Sequence, residues 1–166
     1  MPDYTLMAEQ MRSLAESEPL WLPVLANASA LLNEALPDLN WVGFYLRDPG
    51  DGSLVLGPFQ GKTACIRIAE GRGVCGTAAA KDEIQLVPDV HKFPGHIACD
   101  SASNSEIVLP VHSAGGNGET GRPGIAAVLD IDSPLYNRFS EEDRDGLVKI
   151  VRVIEECADF STWYAL

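Results

Sequence analysis

Apolar residues recur along the first part of the chain at three- and four-residue steps. Tyr4, Met7, Met11 and Leu14 make one stripe, and Trp21, Val24, Leu25, Ala28, Leu31 and Leu32 make a second. This is the 3.6-residue period of amphipathic helices. Ser17, followed by Glu18 and Pro19, reads as the start of the second helix, because proline is tolerated in a first turn. Pro37-Asp38 ends it. The period returns near the other end in Leu147, Ile150, Val151, Ile154 and Ala158. Ser140 and Asp143 stand before that stripe at capping-box spacing. The expected bounds are 3–36 for the N-terminal helical segment and 140–162 for the C-terminal helix.

Between them the pattern turns β-like. Trp41 to Leu46 is rich in strand formers, and Arg47-Asp48-Pro49-Gly50-Asp51-Gly52 is a turn signal leading into Ser53 to Leu56, so a hairpin is expected. Cys65 to Ile68, Glu106 to Val111 and Ile125 to Ile131 are further strand candidates. Val74 to Ala80 is small and apolar and fits a short helix. Val87 to Ser103 has no clean period and carries Pro88, Pro94 and Gly95, so it reads as a long ordered loop, usually a functional feature. Ser113 to Gly124 reads as a Gly-rich exposed turn. No repeat, low-complexity block or linker divides the chain. The expectation is one α+β domain over 1–166, with a central antiparallel sheet and active-site loops in 40–133.

Composition narrows the function. The chain has 166 residues, 46% of them hydrophobic and 22% charged, enough for a substantial core. Its net charge of −12 argues against nucleic acid and against an anionic membrane surface. A cationic or zwitterionic small molecule or a basic protein suits it better. No apolar run approaches the roughly 20 residues of a membrane span. Met1-Pro2-Asp3-Tyr4 lacks the basic and apolar regions of a secretory leader, so a cytoplasmic protein with free thiols is expected.

Those thiols are Cys65, Cys75, Cys99 and Cys157, the first three within 35 positions. Cys99 lies in the long loop, where exposure would favour reactivity, although a lone cysteine is more often a buried small hydrophobe. Gly71 and Gly73 let the backbone bend between Cys65 and Cys75, so either is free to approach Cys99. Cys157 reads as helix packing. His91, His96 and Cys99 form only a weak metal pattern, the alternative being loop histidines bonded to backbone. His112 carries no signal. Asp130 and Asp132 share one face of the last strand, where like charges call for a cation, unless the strand has already ended in a solvated turn. Glu106 is a strand-start acid. Trp41 and Tyr45 share a face and line either a pocket or the core. Gly71-Arg72-Gly73-Val74-Cys75-Gly76 lacks the lysine and spacing of phosphate loops.

Taken together, these blocks resemble a known family. Asn40-Trp41-Val42-Gly43-Phe44-Tyr45, Gly57-Pro58-Phe59-Gln60-Gly61-Lys62 with Cys65, and Gly71 through Ala78 match its first half. Asp89-Val90-His91, Gly95-His96-Ile97-Ala98-Cys99-Asp100, Ser103 through Val108, and Val128-Leu129-Asp130-Ile131-Asp132-Ser133 match its second. They are similar to the free methionine-(R)-sulfoxide reductases, enzymes of GAF fold, from about Asn40 to Phe139. The resemblance implies a GAF-like α+β fold with the terminal helices on one side of the sheet, often used for dimerisation. It implies Cys99 as the catalytic thiol, Cys65 as the resolving thiol and Cys75 as a secondary recycling thiol. Glu106, Asp130 and Asp132 would line the substrate site, shaped by Trp41 and Tyr45, with Glu106 as proton donor. It further implies an oxidative-stress oxidoreductase that needs no bound cofactor or metal, draws electrons from thioredoxin and forms a homodimer. The alternative is a non-catalytic GAF sensor of small ligands. One departure is the segment Ser113 to Pro123, longer than the family's usual turn.

Overall fold

The structure is a computed structural model that describes residues 2–95, 101–113 and 124–164. Its elements run α1 (Tyr4–Ser17), α2 (Trp21–Ala35), β1 (Trp41–Arg47), β2 (Leu54–Gly61), β3 (Arg67–Ile68), α3 (Gly73–Lys81), β4 (Gln85–Val87), β5 (Ser105–His112), β6 (Ile125–Ser133) and α4 (Glu141–Cys157). The strands form one antiparallel sheet ordered β3-β2-β1-β6-β5-β4.

The sheet has two unlike faces. Val42, Phe44, Leu46, Ile107, Leu109, Leu129 and Ile131 pack with α1, α2 and α4 in the larger core. Trp41, Tyr45, Val108 and Val128 point the other way and pack with Val74, Cys75 and Ala78 of α3. The period-two alternation of the central strands therefore keeps the helical-layer face apolar and sends Trp41, Tyr45, Glu106, Asp130 and Asp132 to the α3 side.

Three helix details differ from the expected pattern. The α1 stripe is Tyr4, Met7, Met11 and Ala15, while Leu14 faces outward. Ser17 closes α1, its hydroxyl donating to the Leu14 carbonyl at 2.9 Å, instead of opening α2. The chain turns extended at Ala158, so α4 stops at Cys157, short of the expected 162. Its start is as read: Asp143 N–H donates to Ser140 Oγ at 3.2 Å and Ser140 N–H donates to Asp143 Oδ2 at 2.8 Å. A Cβ on Gly146 would lie 2.2 Å from the Tyr4 ring, so glycine is what lets α1 seat so closely on α4.

The strands depart in places too. β2 continues past Leu56 to Gly61, because a bulge sets Gly57-Pro58 against Phe44 and restores pairing at Phe59. Of the Cys65 to Ile68 candidate, only Arg67–Ile68 pair as β3. β4 is a short edge strand overlapping the start of the expected loop, followed by a 3₁₀ turn over Val90–Lys92. β6 runs through Asp130 and Asp132 to Ser133, so neither acid sits in a turn. Most of the expected Gly-rich turn, 114–123, lies outside the described residues. His112 joins three elements: its ring contacts Glu155 of α4 at 2.7 Å and Asp82 after α3 at 2.8 Å. Bonding to Glu155, partly opposed by burial and reinforced by Asp82, raises the His112 pKa to about 9.

Candidate active site

Register places the acids before any side-chain packing is considered. On the α3 side, Trp41 pairs with Asp132, Asp132 with Glu106, and Glu106 with Val87. In the next row Gly43 pairs with Asp130 and Asp130 with Val108. Glu106 and Asp130 are thus diagonal neighbours on adjacent central strands, within reach of each other's side chains. Each is only 6% exposed, so Glu106 is not an ordinary strand-start charge. Asp132 is half-buried.

α3 brings a thiol to this pair. Cys75 Sγ donates a weak, long hydrogen bond to Glu106 Oε1 at 4.0 Å. Donor atoms of Cys75, Glu106 and Asp130 all lie within 4.8 Å of one another. Trp41 stacks on Tyr45 with ring centroids 5.8 Å apart and on Phe59 at 5.3 Å. The stack needs Gly43, because a Cβ there would lie 2.3 Å from Phe59 Cβ and 2.8 Å from the Trp41 ring. The Trp41 indole N–H donates to the Lys62 carbonyl at 3.2 Å, fixing the ring.

The electrostatics follow from burial. Desolvation, then the charges of Asp130 and Asp132, hold the Glu106 carboxyl well above its ordinary pKa. Desolvation also raises Asp130, to about 6, with hydrogen bonds from Cys75 and Glu106 limiting the rise. Burial and mutual repulsion thus favour a proton on the pair, and favour it on Glu106 over Asp130. Burial, then the fields of Asp130 and Glu106, push the Cys75 thiol up, so it is neutral and a poor nucleophile. Burial, then Asp130, raises Tyr45 as well. Among the described residues, Asp130 Oδ1 is a buried oxygen without a hydrogen-bond partner. The arrangement can donate a proton from Glu106 and hold a cation at Asp130.

The structure thus gathers Trp41, Tyr45, Cys75, Glu106 and Asp130, with Asp132 in register beside them. Cys65 takes part in a disulfide, whereas Cys75 and Cys157 are free thiols. Cys99 and His96 lie outside the described residues. His91 Nε2 is 2.9 Å from Asn104 Oδ1, and the Asn104 amide donates to the Pro134 carbonyl, so His91 is built into loop packing. Among the described residues, the grouping with metal-compatible donors is Cys75, Glu106 and Asp130 instead. Sequence reading missed two contributors. Phe59 stands in the matched block Gly57–Lys62 but was given no place in the pocket, because the strand candidate there stops at Leu56. The link between Cys75 and the acids depends on how α3 docks, which no spacing encodes. Val87, the register partner of Glu106, also lines a cleft of about 610 Å³ with Asp89, Lys92 and Tyr136.

The fold agrees with comparisons to known proteins. The GAF domain family model matches residues 21–157. The free methionine-R-sulfoxide reductase of Escherichia coli is 48% identical over 165 residues, covering 98% of this chain and 94% of that protein. The structure of fRMsr of Staphylococcus aureus in complex with substrate superposes with a TM-score of 0.84 at 45% identity, covering 96% of this chain and 97% of that one. The free methionine-R-sulfoxide reductase of Neisseria meningitidis, in complex with its substrate, gives a TM-score of 0.86 at 42% identity, covering 98% and 92%. The chain is therefore a GAF-domain protein and belongs to the free methionine-R-sulfoxide reductase family.

Proposed function

We propose that this chain reduces free L-methionine-(R)-sulfoxide to methionine, with Cys99 as nucleophile and Cys65 as the resolving thiol. The observation that carries the reading is the buried Glu106–Asp130 pair, whose carboxyls are both pushed toward the protonated form, Glu106 the more strongly, in an aromatic-walled site. The Cys99 thiolate attacks the sulfoxide sulfur. As the S–O bond weakens, negative charge grows on oxygen, and the protonated Glu106 supplies a proton there. Methionine leaves and Cys99 becomes a sulfenic acid. The Cys65 thiol displaces its hydroxyl as water and forms a disulfide. The disulfide already present at Cys65 supports this assignment. An external dithiol, for which we propose thioredoxin, returns both sulfurs to thiols by exchange. Asp130 and Asp132 accept the ammonium of the free amino acid, which a peptide-linked residue lacks. Cys75, neutral and buried, is kept as a secondary recycling thiol.

We further propose a cytoplasmic homodimer acting as one domain per chain. Leu6 and Leu14 on α1 and Leu22 on α2 are large apolar side chains exposed on the terminal helices, which supports pairing through that face. Among the described residues no helix is long and apolar enough to cross a membrane.

The test is NADPH oxidation coupled through thioredoxin reductase and thioredoxin, run separately on the purified R and S epimers of the free sulfoxide. Turnover of the R epimer that is lost in Cys99→Ser is the expected result. Binding of the R epimer with no NADPH consumed would assign the chain to the sensing GAF domains instead.

A further inference from the structure

Cys75, Glu106 and Asp130 come from α3, β5 and β6, three elements packed on one another, and their donor atoms lie within 4.8 Å. A tetrahedral ion with metal–sulfur bonds of about 2.3 Å and metal–oxygen bonds of about 2.0–2.2 Å sets its donors about 3.2–3.7 Å apart. The widest separation in the set has to contract by roughly 1.1–1.6 Å to reach that geometry, and Cys75 Sγ stands 4.0 Å from Glu106 Oε1. A second observation points to a cation independently. Asp130 is 6% exposed, and among the described residues its Oδ1 is buried without a hydrogen-bond partner. An oxygen so placed lacks a positive neighbour that no described side chain supplies.

We propose that Cys75, Glu106 and Asp130 form a binding site for a zinc-class divalent cation. One thiolate with two carboxylates is a borderline donor set. It suits Zn²⁺ better than Ca²⁺ or Mg²⁺, which prefer oxygen alone. Three protein ligands leave the fourth tetrahedral position to water. On binding, the ion displaces the Cys75 thiol proton and any proton held by the carboxyl pair. Three anionic ligands then surround a dication. Val74, Val108 and Val128 wall the site with apolar surface, which strengthens the attraction. Cys75 is a free thiol while Cys65 is in a disulfide, so the site is competent in the oxidised protein.

One consequence rests on the proposed function. The ion would occupy Asp130, one of the two carboxylates that hold the substrate's ammonium, and Glu106, the proton donor. Zinc is then a reversible inhibitor competing with the sulfoxide.

The test uses the full chain with its Cys65 disulfide intact, stripped by chelator and desalted, so that Cys75 and Cys157 are its thiols. Zn²⁺ is titrated against a chromophoric chelator, and Co²⁺ is added separately to read the thiolate-to-cobalt charge-transfer band. One equivalent of Zn²⁺ and a cobalt band that survive Cys157→Ser and vanish in Cys75→Ser are expected. Asp130→Asn, which keeps the thiol and the shape, should weaken zinc at least ~10-fold. Thermal melts confirm that each variant is folded. Absence of a one-equivalent site in the wild type, or an unchanged band in Cys75→Ser, would overturn the proposal. In the coupled assay zinc should raise the apparent KM for the sulfoxide and leave kcat unchanged. Bound zinc without that rise would overturn the competition. A cobalt band in a chain that turns over no sulfoxide would keep the metal site and remove the reductase reading.

Discussion

Two buried carboxylates, Asp143 and Asp130, sit on opposite faces of the same sheet and meet opposite treatment. Asp143 is 7% exposed, and burial alone would raise its pKa. The Tyr4 hydroxyl at 2.6 Å, Ser140 N–H at 2.8 Å, Ser140 Oγ at 2.9 Å and Arg138 at 3.4 Å overcome that and hold it below its ordinary value. Asp130, similarly buried, has two acids for company, an oxygen without a described partner and a pKa raised to about 6. Burial by itself therefore says little about what a carboxylate does. A fully bonded one fastens the chain. One left short of hydrogen bonds in a pocket is held ready for something that arrives.

The largest expected break in this contrast comes from Glu106→Gln. It should lower kcat about 10²–10⁴-fold, the usual worth of a positioned proton donor, with little loss of Tm. Steady-state kinetics beside a thermal melt separates the two effects. Next in size, Asp143→Ala leaves Tyr4 and Arg138 without their buried partner. It should cost about 3 kcal/mol in urea unfolding and preserve turnover per folded molecule.

Asp130→Asn should do the reverse, lowering kcat/KM for the free sulfoxide by about 10-fold through a weakened hold on its ammonium while raising stability by on the order of 1–3 kcal/mol at pH 7. The sign follows from its raised pKa. Between its ordinary value of 3.8 and about 6 the folded state binds more protons than the unfolded one, so the native Asp130 loses stability as pH rises through that window. The gain from Asn should accordingly shrink toward pH 4. For Asp143, with a lowered pKa, stability is present above the ordinary value and is lost as pH falls through the folded one. The smallest effect is expected at the His112 clasp, which is substantially solvated and so screened. His112→Ala should cost no more than about 1 kcal/mol. Because the folded pKa is raised from 6.5 to about 9, that stabilisation is complete below pH 6.5 and fades as pH climbs through 9. Urea midpoints from pH 6 to 10 would show the two proteins converging.

The contrast itself was only half legible in the sequence. Helix periods and the Ser140–Asp143 box are local signals, and they located α1, α2 and α4 to within a few residues, the C-terminal bound of α4 excepted. Alternation on β6 put Asp130 and Asp132 on one face, but whether the strand lasted that far depended on partners about 90 positions away in β1. Ser17 was misplaced because a serine that bonds back to the preceding turn and one that caps the next helix look alike in sequence. β2 was cut short since Gly57-Pro58 reads as a stop unless the opposing bulge is known. Cys75 was recognisable as a thiol but not as a neighbour of the acids, because helix docking on a sheet leaves no periodic trace. The thiol roles came from resemblance alone.

The pairing of Trp41 with Asp132 across the middle of the sheet has a consequence for how the protein is made. The strand bearing the aromatic stack emerges from the ribosome long before the two strands bearing the acids. The repelling carboxyls are therefore absent from the first collapsed intermediates and are brought together only when the last strand inserts between two already formed edges. A nascent chain stalled before residue 125 would carry α1, α2, α3 and the first hairpin but neither β6 nor α4, and so bind no substrate, and synthesis of those last two elements would be the moment at which a reductase comes into being.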